Sequence, residues 1–284
     1  MTASSAAPRS TDKLDALRAH LRGLGRVLVC YSGGVDSAFV LAVAHDVLGA
    51  DAIGMTAVSP SLAPEEREAA CSVAKGIGAD HRLVRTHEIE NEDYAKNGPD
   101  RCFHCKSELY RIAARQREQW AMDVVVNGTN CDDLGDYRPG LEAARQAGVA
   151  SPLVDLGFTK ADVRAAAQVI GLSVWDKPAA ACLSSRIPYG TSVTPERLRM
   201  VGDFEADLRA LGFRQVRVRY HDTIARLELD VEELARAADP GVRPRIVAAG
   251  KRHGFKYVTL DLGGYRTGSH NEVLQGRSLR IVDG

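Results

Sequence analysis

The chain has 284 residues, 45% hydrophobic and 26% charged, the composition of an ordinary folded protein with room for one large domain or two unequal ones. Its 37 Lys and Arg balance 37 Asp and Glu, which removes the net-charge argument for binding nucleic acid or an anionic membrane surface. No apolar run nears the roughly 18 residues of a membrane span, and residues 1–12 lack an apolar signal core, so a cytoplasmic chain with a disordered lead over 1–12 is expected.

Leu14, Leu17, Leu21 and Leu24 recur at three- and four-residue steps between Lys13 and Gly25, predicting a helix with one apolar stripe, closed by glycine. Arg26–Tyr31 suits a strand buried on both faces, Ser32–Ser37 is a glycine turn, and Ala38–Leu48 is helical. The unit repeats as strand Ala52–Val58, helix Ala63–Ile77 with Pro64 in its first turn, and strand His81–Arg85. A loop over 87–100, helix Lys106–Gln119 and strand Met122–Asn127 follow. This alternation predicts an α/β fold with a doubly wound, mostly parallel sheet, whose ligands sit at the carboxyl ends of the strands. The loops after Tyr31, Val58, Arg85 and Asn127 should meet there, which makes Gly128 and Thr129 candidates to line the site.

Thr159–Gly171 is a further helix, and the Pro-, Ala- and Ser-rich loop Trp175–Gly190 marks a boundary between a domain over 13–190 and a smaller one over 191–284. The second domain reads as helix Pro195–Leu211, strands Gln215–Tyr220 and Ile224–Leu229 joined at His221-Asp222, helix Arg243–His253 and strand Lys256–Leu260, a compact α+β unit.

Ser32-Gly-Gly-Val-Asp-Ser37 stands where a phosphate cradle belongs, with glycines that let the backbone approach an anion and a helix N-terminus behind them. The chain has no Walker sequence, and a glycine turn needed only for tight packing is the plain alternative. Six cysteines are too few for a disulfide scaffold and point to metal, catalysis or packing. Cys102 and Cys105 in Arg101-Cys-Phe-His-Cys-Lys106 have the spacing of a shared metal or cluster, or of a redox pair. Cys182 lies in a small-residue loop near Arg186, a cation that would favour its thiolate. Cys30 and Cys71 read as core thiols, and Cys131 as a cleft residue. Arg217 and Arg219 emerge on one face of a strand, where they either clamp a phosphate or merely line a solvated face; Glu205 is a weaker candidate for the same cleft.

The string Ser-Gly-Gly-x-Asp-Ser resembles the signature of the PP-loop ATP pyrophosphatases, which cleave ATP between its α- and β-phosphates. The resemblance implies that Ser32, Gly33, Gly34, Asp36 and Ser37 bind ATP, with Asp36 helping to hold Mg²⁺, and that the substrate is activated by transfer of AMP to one of its oxygens.

Further strings narrow this. Arg101-Cys-x-x-Cys-Lys106, Asn127-Gly-Thr-Asn-x-Asp-Asp133, Asp136-Tyr-Arg-Pro-Gly140, Ala181-Cys-Leu-x-Ser-Arg-Ile-Pro-Tyr-Gly190 and Gly264-Tyr-Arg-x-Gly268 together look like the LarE-type sulfur transferases of nickel-pincer cofactor synthesis, over about Leu14 to Leu274. That family adenylates a carboxylate of pyridinium-3,5-biscarboxylic acid mononucleotide and replaces oxygen with sulfur. The resemblance makes Cys182 the sulfur-bearing cysteine, catalytic with Asp36 and Arg186, and makes Cys102, Cys105 and Cys182 the ligands of a [4Fe–4S] cluster. In other members the matching cysteine gives up its own sulfur and ends as dehydroalanine. The resemblance also implies a phosphate site at Arg217 and Arg219 and a homo-oligomer, trimer or hexamer; the balanced charge and the lack of a membrane-length apolar run lead to the expectation of no nucleic-acid or membrane partner. An adenylating enzyme with another acceptor, by tRNA thiolation or amide synthesis, and a non-enzymatic nucleotide sensor are the competing readings.

Overall fold

The computed structural model describes residues 10–135, 139–178 and 181–266. The chain forms two compact units, one from residues up to Ala95 with Pro99–Ala180, the other from Lys96–Gly98 with the residues from Ala181 onward.

In the first unit the helices are α1 (Ser10–Gly23), α2 (Val35–Leu48), α3 (Pro64–Ile77), α4 (Glu92–Ala95), α5 (Arg101–Gln119), α6 (Pro139–Gln146), α7 (Pro152–Asp155) and α8 (Lys160–Val169). The strands are β1 (Val27–Cys30), β2 (Ala52–Val58), β3 (Asp80–Arg85) and β4 (Val124–Val126). They pair in parallel in the order β3-β2-β1-β4, with Val27 opposite both Ala52 and Val124. Alternate residues of a strand face opposite sides. Val27 and Val29 accordingly join the apolar cluster of α1, α2 and α8, while Leu28 joins that of Ile112 and Ala113 on α5. The sheet is therefore covered on both faces, as the alternation predicted.

Helix α2 is buried along most of its length, from Val35 through Phe39 and Leu41 to Ala44, because it lies between the sheet and α1 and α8. Phe39 meets the ring of Phe158, 5.8 Å between centroids. Three local readings shift. Helix α1 opens at Ser10 with Asp12 in its first turn, where the helix dipole favours an acid. The segment 87–100 holds α4 and a short 3-10 turn at Glu88–Glu90 rather than only loop. Helix α5 begins at Arg101, five residues early, which puts Cys102 and Cys105 inside its first turns.

The second unit contains a 3-10 turn at Leu183–Arg186, α9 (Pro195–Ala210), β5 (Val216–His221), β6 (Ile224–Leu229), α10 (Leu234–Ala238), α11 (Arg243–Arg252) and β7 (Tyr257–Leu260). Strands β5 and β6 are antiparallel about a turn in which Asp222 takes a positive φ of 54°; β7 runs parallel to β6. Val216, Val218, Leu227 and Leu229 are buried on one face, and Phe204 of α9 meets Phe255 beneath them. Asn97 shows why 96–98 belongs here: its Nδ2 donates to the carbonyls of Ile187, Pro188 and Thr191, and Gly190 N donates to its carbonyl. The units thus divide at Ala180–Ala181, and the loop 181–190, which the sequence attached to the first domain, is held in the second.

Candidate active site

Strand β1 continues by one rung, Tyr31 N donating to Met55 O at 2.9 Å, and the chain then turns away at Gly33. Gly33 has φ +76°, and a Cβ there would lie 2.7 Å from Cβ and 2.9 Å from Cα of Ala70, so glycine is demanded twice over. Gly34 is the N-cap of α2 and brings no capping side chain, unlike Thr159 and Thr194, which cap α8 and α9. That leaves the first turn of α2 suited to an anion. The loop is braced from within. Ser32 N donates to Ser37 Oγ at 3.1 Å, and Ser37 Oγ donates to Gly34 O at 3.2 Å.

The segment after β4 closes on this turn. A Cβ on Gly128 would stand 2.6 Å from Ser37 N and 2.8 Å from Asp36 C, so backbone lies directly on backbone. Thr129 N donates to Asn127 Oδ1 at 3.0 Å, and Asn130 Nδ2 donates to Asp36 Oδ1 at 3.1 Å. Ser32, Gly33, Gly34, Asp36, Ser37, Gly128 and Thr129 are thereby gathered at the carboxyl ends of β1 and β4.

Two lysines that the sequence reading passed over stand at the same place. Lys160, the first residue of α8, reaches Asp36 Oδ2, and its backbone N donates to Asp132 Oδ2 at 2.7 Å. Lys177 Nζ donates to Glu66 Oε2 at 2.8 Å and to Gly33 O at 3.4 Å. Lys160 is held by a reciprocal cap, since Thr159 accepts from Asp162 N and Asp162 accepts from Thr159 N. Lysine is scarce in the chain, eight against 29 arginines, but that count singles out neither residue.

Cys102 is exposed and Cys105 half-buried, three residues apart on one side of α5. Burial pushes the Cys30 thiol at the end of β1 up to about 12, with the Lys106 charge pulling only weakly the other way. Cys30 is therefore a protonated packing residue, as its place in an apolar strand suggested.

In the second unit Cys182 is exposed and caps the 3-10 turn. Its carbonyl accepts from Ser185 N, from Ser185 Oγ and from Arg186 Nη1. Arg186 is buried: Nε and Nη2 lie on the two oxygens of Glu205 at 2.8 and 3.1 Å, while Nη1 donates to Ala181 O at 2.8 Å. Glu205 also accepts from Val218 N and Arg209. Arg219 is buried against Glu228 at 2.7 Å and donates to Ser185 O at 2.9 Å. Arg217, on the same strand face, lies over the ring of Tyr265, 5.2 Å from its centroid.

Cys102 and Cys105 thus belong to the first unit, and Cys182, Arg186, Arg217 and Arg219 to the second. Among the described residues no group of three His, Cys, Asp or Glu side chains stands ready for a metal. The motif residues 136–138 and 267–268 lie outside the described residues.

A parallel sheet whose first strand ends in an uncapped Ser-Gly-Gly-x-Asp-Ser turn defines an α/β enzyme of the ATP pyrophosphatase class, and an asparagine synthase family model matches residues 14–115. Two uncharacterized proteins are similar along most of their length. One, from Synechocystis sp., is 47% identical, covering 92% of this chain and 98% of its own; the other, from Methanocaldococcus jannaschii, is 27% identical, covering 85% and 91%. The pyridinium-3,5-bisthiocarboxylic acid mononucleotide synthase of Lactiplantibacillus plantarum is 40% identical, covering 92% of this chain and 95% of its own. The chain belongs to the family of that synthase, the LarE-type branch of the PP-loop proteins. No helix among the described residues is long and apolar enough to cross a membrane.

Proposed function

We propose that this protein is an ATP-dependent sulfur transferase that adenylates pyridinium-3,5-biscarboxylic acid mononucleotide and converts its carboxylates to thiocarboxylates. The carrying observation is the Ser32–Ser37 turn, whose N-cap Gly34 brings no capping side chain and which Gly128 seals, in a chain 40% identical to a synthase of the bisthiocarboxylic acid product. Backbone N–H groups of the turn receive the ATP phosphates. A carboxylate oxygen of the substrate attacks the α-phosphorus and pyrophosphate departs. The acyl carbon, now bonded to a good leaving group, accepts sulfur as AMP leaves.

Asp36 would hold Mg²⁺, which supplies charge neutralisation on the phosphates; its carboxylate is placed for that role by Asn130. Cys102, Cys105 and Cys182 would hold a [4Fe–4S] cluster, which would supply a transferable sulfide. Arg186 positions the Cys182 turn through its backbone carbonyls. Arg217 and Arg219 take the phosphate of the substrate, and the protein assembles as a trimer or hexamer.

The test is to incubate the protein with ATP and the biscarboxylic acid mononucleotide, following pyrophosphate and thiocarboxylate separately. Cys182→Ala should still release pyrophosphate while making no thiocarboxylate. Undiminished thiolation by that variant would remove Cys182 as donor, and absence of substrate-dependent pyrophosphate would remove the adenylation.

A further inference from the structure

Lys160 and Lys177 have no role in the reading above, although both ammonium groups sit on the phosphate turn itself. Lys160 lies at its helical end on Asp36, and Lys177 at its strand end on the carbonyl of Gly33. Each is paired with one carboxylate, Asp36 and Glu66, and both pairs are half-buried, with water still reaching them: side-chain exposure is 33% and 22% for Lys160 and Asp36, 20% and 36% for Lys177 and Glu66. An arriving phosphate can take the place of each carboxylate, because it offers the ammonium group another anion where water already has access.

The choice of residue agrees. Arginine outnumbers lysine 29 to eight here, and the buried pairs Arg186–Glu205 and Arg219–Glu228 of the second unit use its fixed fork. Two lysines at a glycine turn supply instead compact charges on flexible stems, which can leave a carboxylate and follow a phosphate as it moves. Their backbones stay anchored. Lys160 is fixed by the Thr159 cap and by Asp132, and the backbone carbonyls of Lys177 and Trp175 accept from Arg164 on α8.

We propose that Lys160 and Lys177 are the cations that receive the pyrophosphate leaving in the adenylation step, and that Asp36 and Glu66 park them at the turn until nucleotide arrives. The inference rests on the ATP reading given above. As the substrate oxygen bonds to the α-phosphorus, the bond from that phosphorus to the α–β bridging oxygen breaks, and its electron pair goes to pyrophosphate. The two ammonium groups oppose the charge that builds on that oxygen, with no net proton transfer required.

The experiment measures binding of inorganic pyrophosphate and of AMP by calorimetry for the wild type, Lys160→Gln, Lys177→Gln and Lys160→Arg, with thermal melts alongside. Each Gln variant should bind pyrophosphate about ten-fold more weakly or worse, the loss of one charge-assisted contact. AMP affinity should stay within about two-fold, since AMP lacks the departing phosphates, and the melts show whether either variant is destabilised. Lys160→Arg should recover part of the pyrophosphate affinity. Pyrophosphate binding unchanged in both Gln variants would overturn the assignment while sparing the ATP reading. Equal losses for pyrophosphate and AMP would also overturn it, in favour of a purely structural role. A wild type that binds neither ligand would bring down the nucleotide reading as well.

Discussion

Arg186 and Glu205 face each other through two hydrogen bonds of 2.8 and 3.1 Å, with 3% and 0% of their side chains exposed. The same guanidinium holds the carbonyls of Ala181 and Cys182, so the pair ties the exposed cysteine turn to α9. Removing one partner would strand the other charge out of water. Glu205→Gln should therefore cost about 3–5 kcal/mol by urea unfolding, and pairing it with Arg186→Met should restore part of that loss. Strictly additive costs would show that the two do not act as a unit.

Acid should act on the same carboxylate. Burial would raise the Glu205 pKa, but the Arg186 charge and hydrogen bonds, the Val218 N–H and Arg209 outweigh it, and the group titrates below the ordinary glutamate range. A depressed folded value means that its stabilisation is complete above the unfolded pKa, about 4.3, and is lost as pH falls through the lower folded value. Urea midpoints of the wild type should fall more steeply below pH ~4 than those of Glu205→Gln.

Gly33→Ala and Gly128→Ala test the phosphate turn. At Gly33 a methyl group meets the Ala70 backbone and a left-handed conformation that costs L residues about 1–2 kcal/mol; at Gly128 it overlaps Ser37 N. Both variants should lose ATP affinity by about ten-fold or more, a local shift of the cradle being enough. Calorimetry that finds wild-type affinity in both would exclude this turn as the phosphate site.

Thiol chemistry should sort the cysteines. With its thiol pushed up to about 12, Cys30 stays protonated at pH 8, whereas Cys102 and Cys182 are exposed. Mass spectrometry after brief alkylation of metal-free protein should find Cys102 and Cys182 modified well before Cys30. Early labelling of Cys30 would contradict its raised thiol pKa.

Iron analysis addresses the sulfur source. Protein purified without oxygen should be brown and carry about four irons per chain, and replacing Cys102, Cys105 or Cys182 singly should lower that content. Colourless, active protein that shows dehydroalanine at position 182 after turnover would assign the sulfur to Cys182 itself.

The glycine turn and the sheet around it were legible because their signals are local. Strand, glycine turn and helix follow one another without a break from Arg26 to Leu48, and hydrophobic alternation reports burial on both faces. Helix α5 was read five residues short because Arg101-Cys-Phe-His-Cys carries little apolar periodicity, and its start is settled by packing against α4 and α6. Lys160 and Lys177 were invisible as site residues. They lie 124 and 144 residues from their partners Asp36 and Gly33, and nothing in the chain between announces the contact.

Arg186 shows the same division. Sequence placed it near Cys182 and read a cation beside a thiol; the fold turns its guanidinium into the second unit, onto Glu205 and two carbonyls. By itself the sequence determined the layered α/β order, the glycines of the turn and the family, all set by short-range pattern. Only the tertiary structure decided which charges meet, because ion pairing depends on side chains brought within a few ångströms by packing, over separations along the chain that no periodicity encodes.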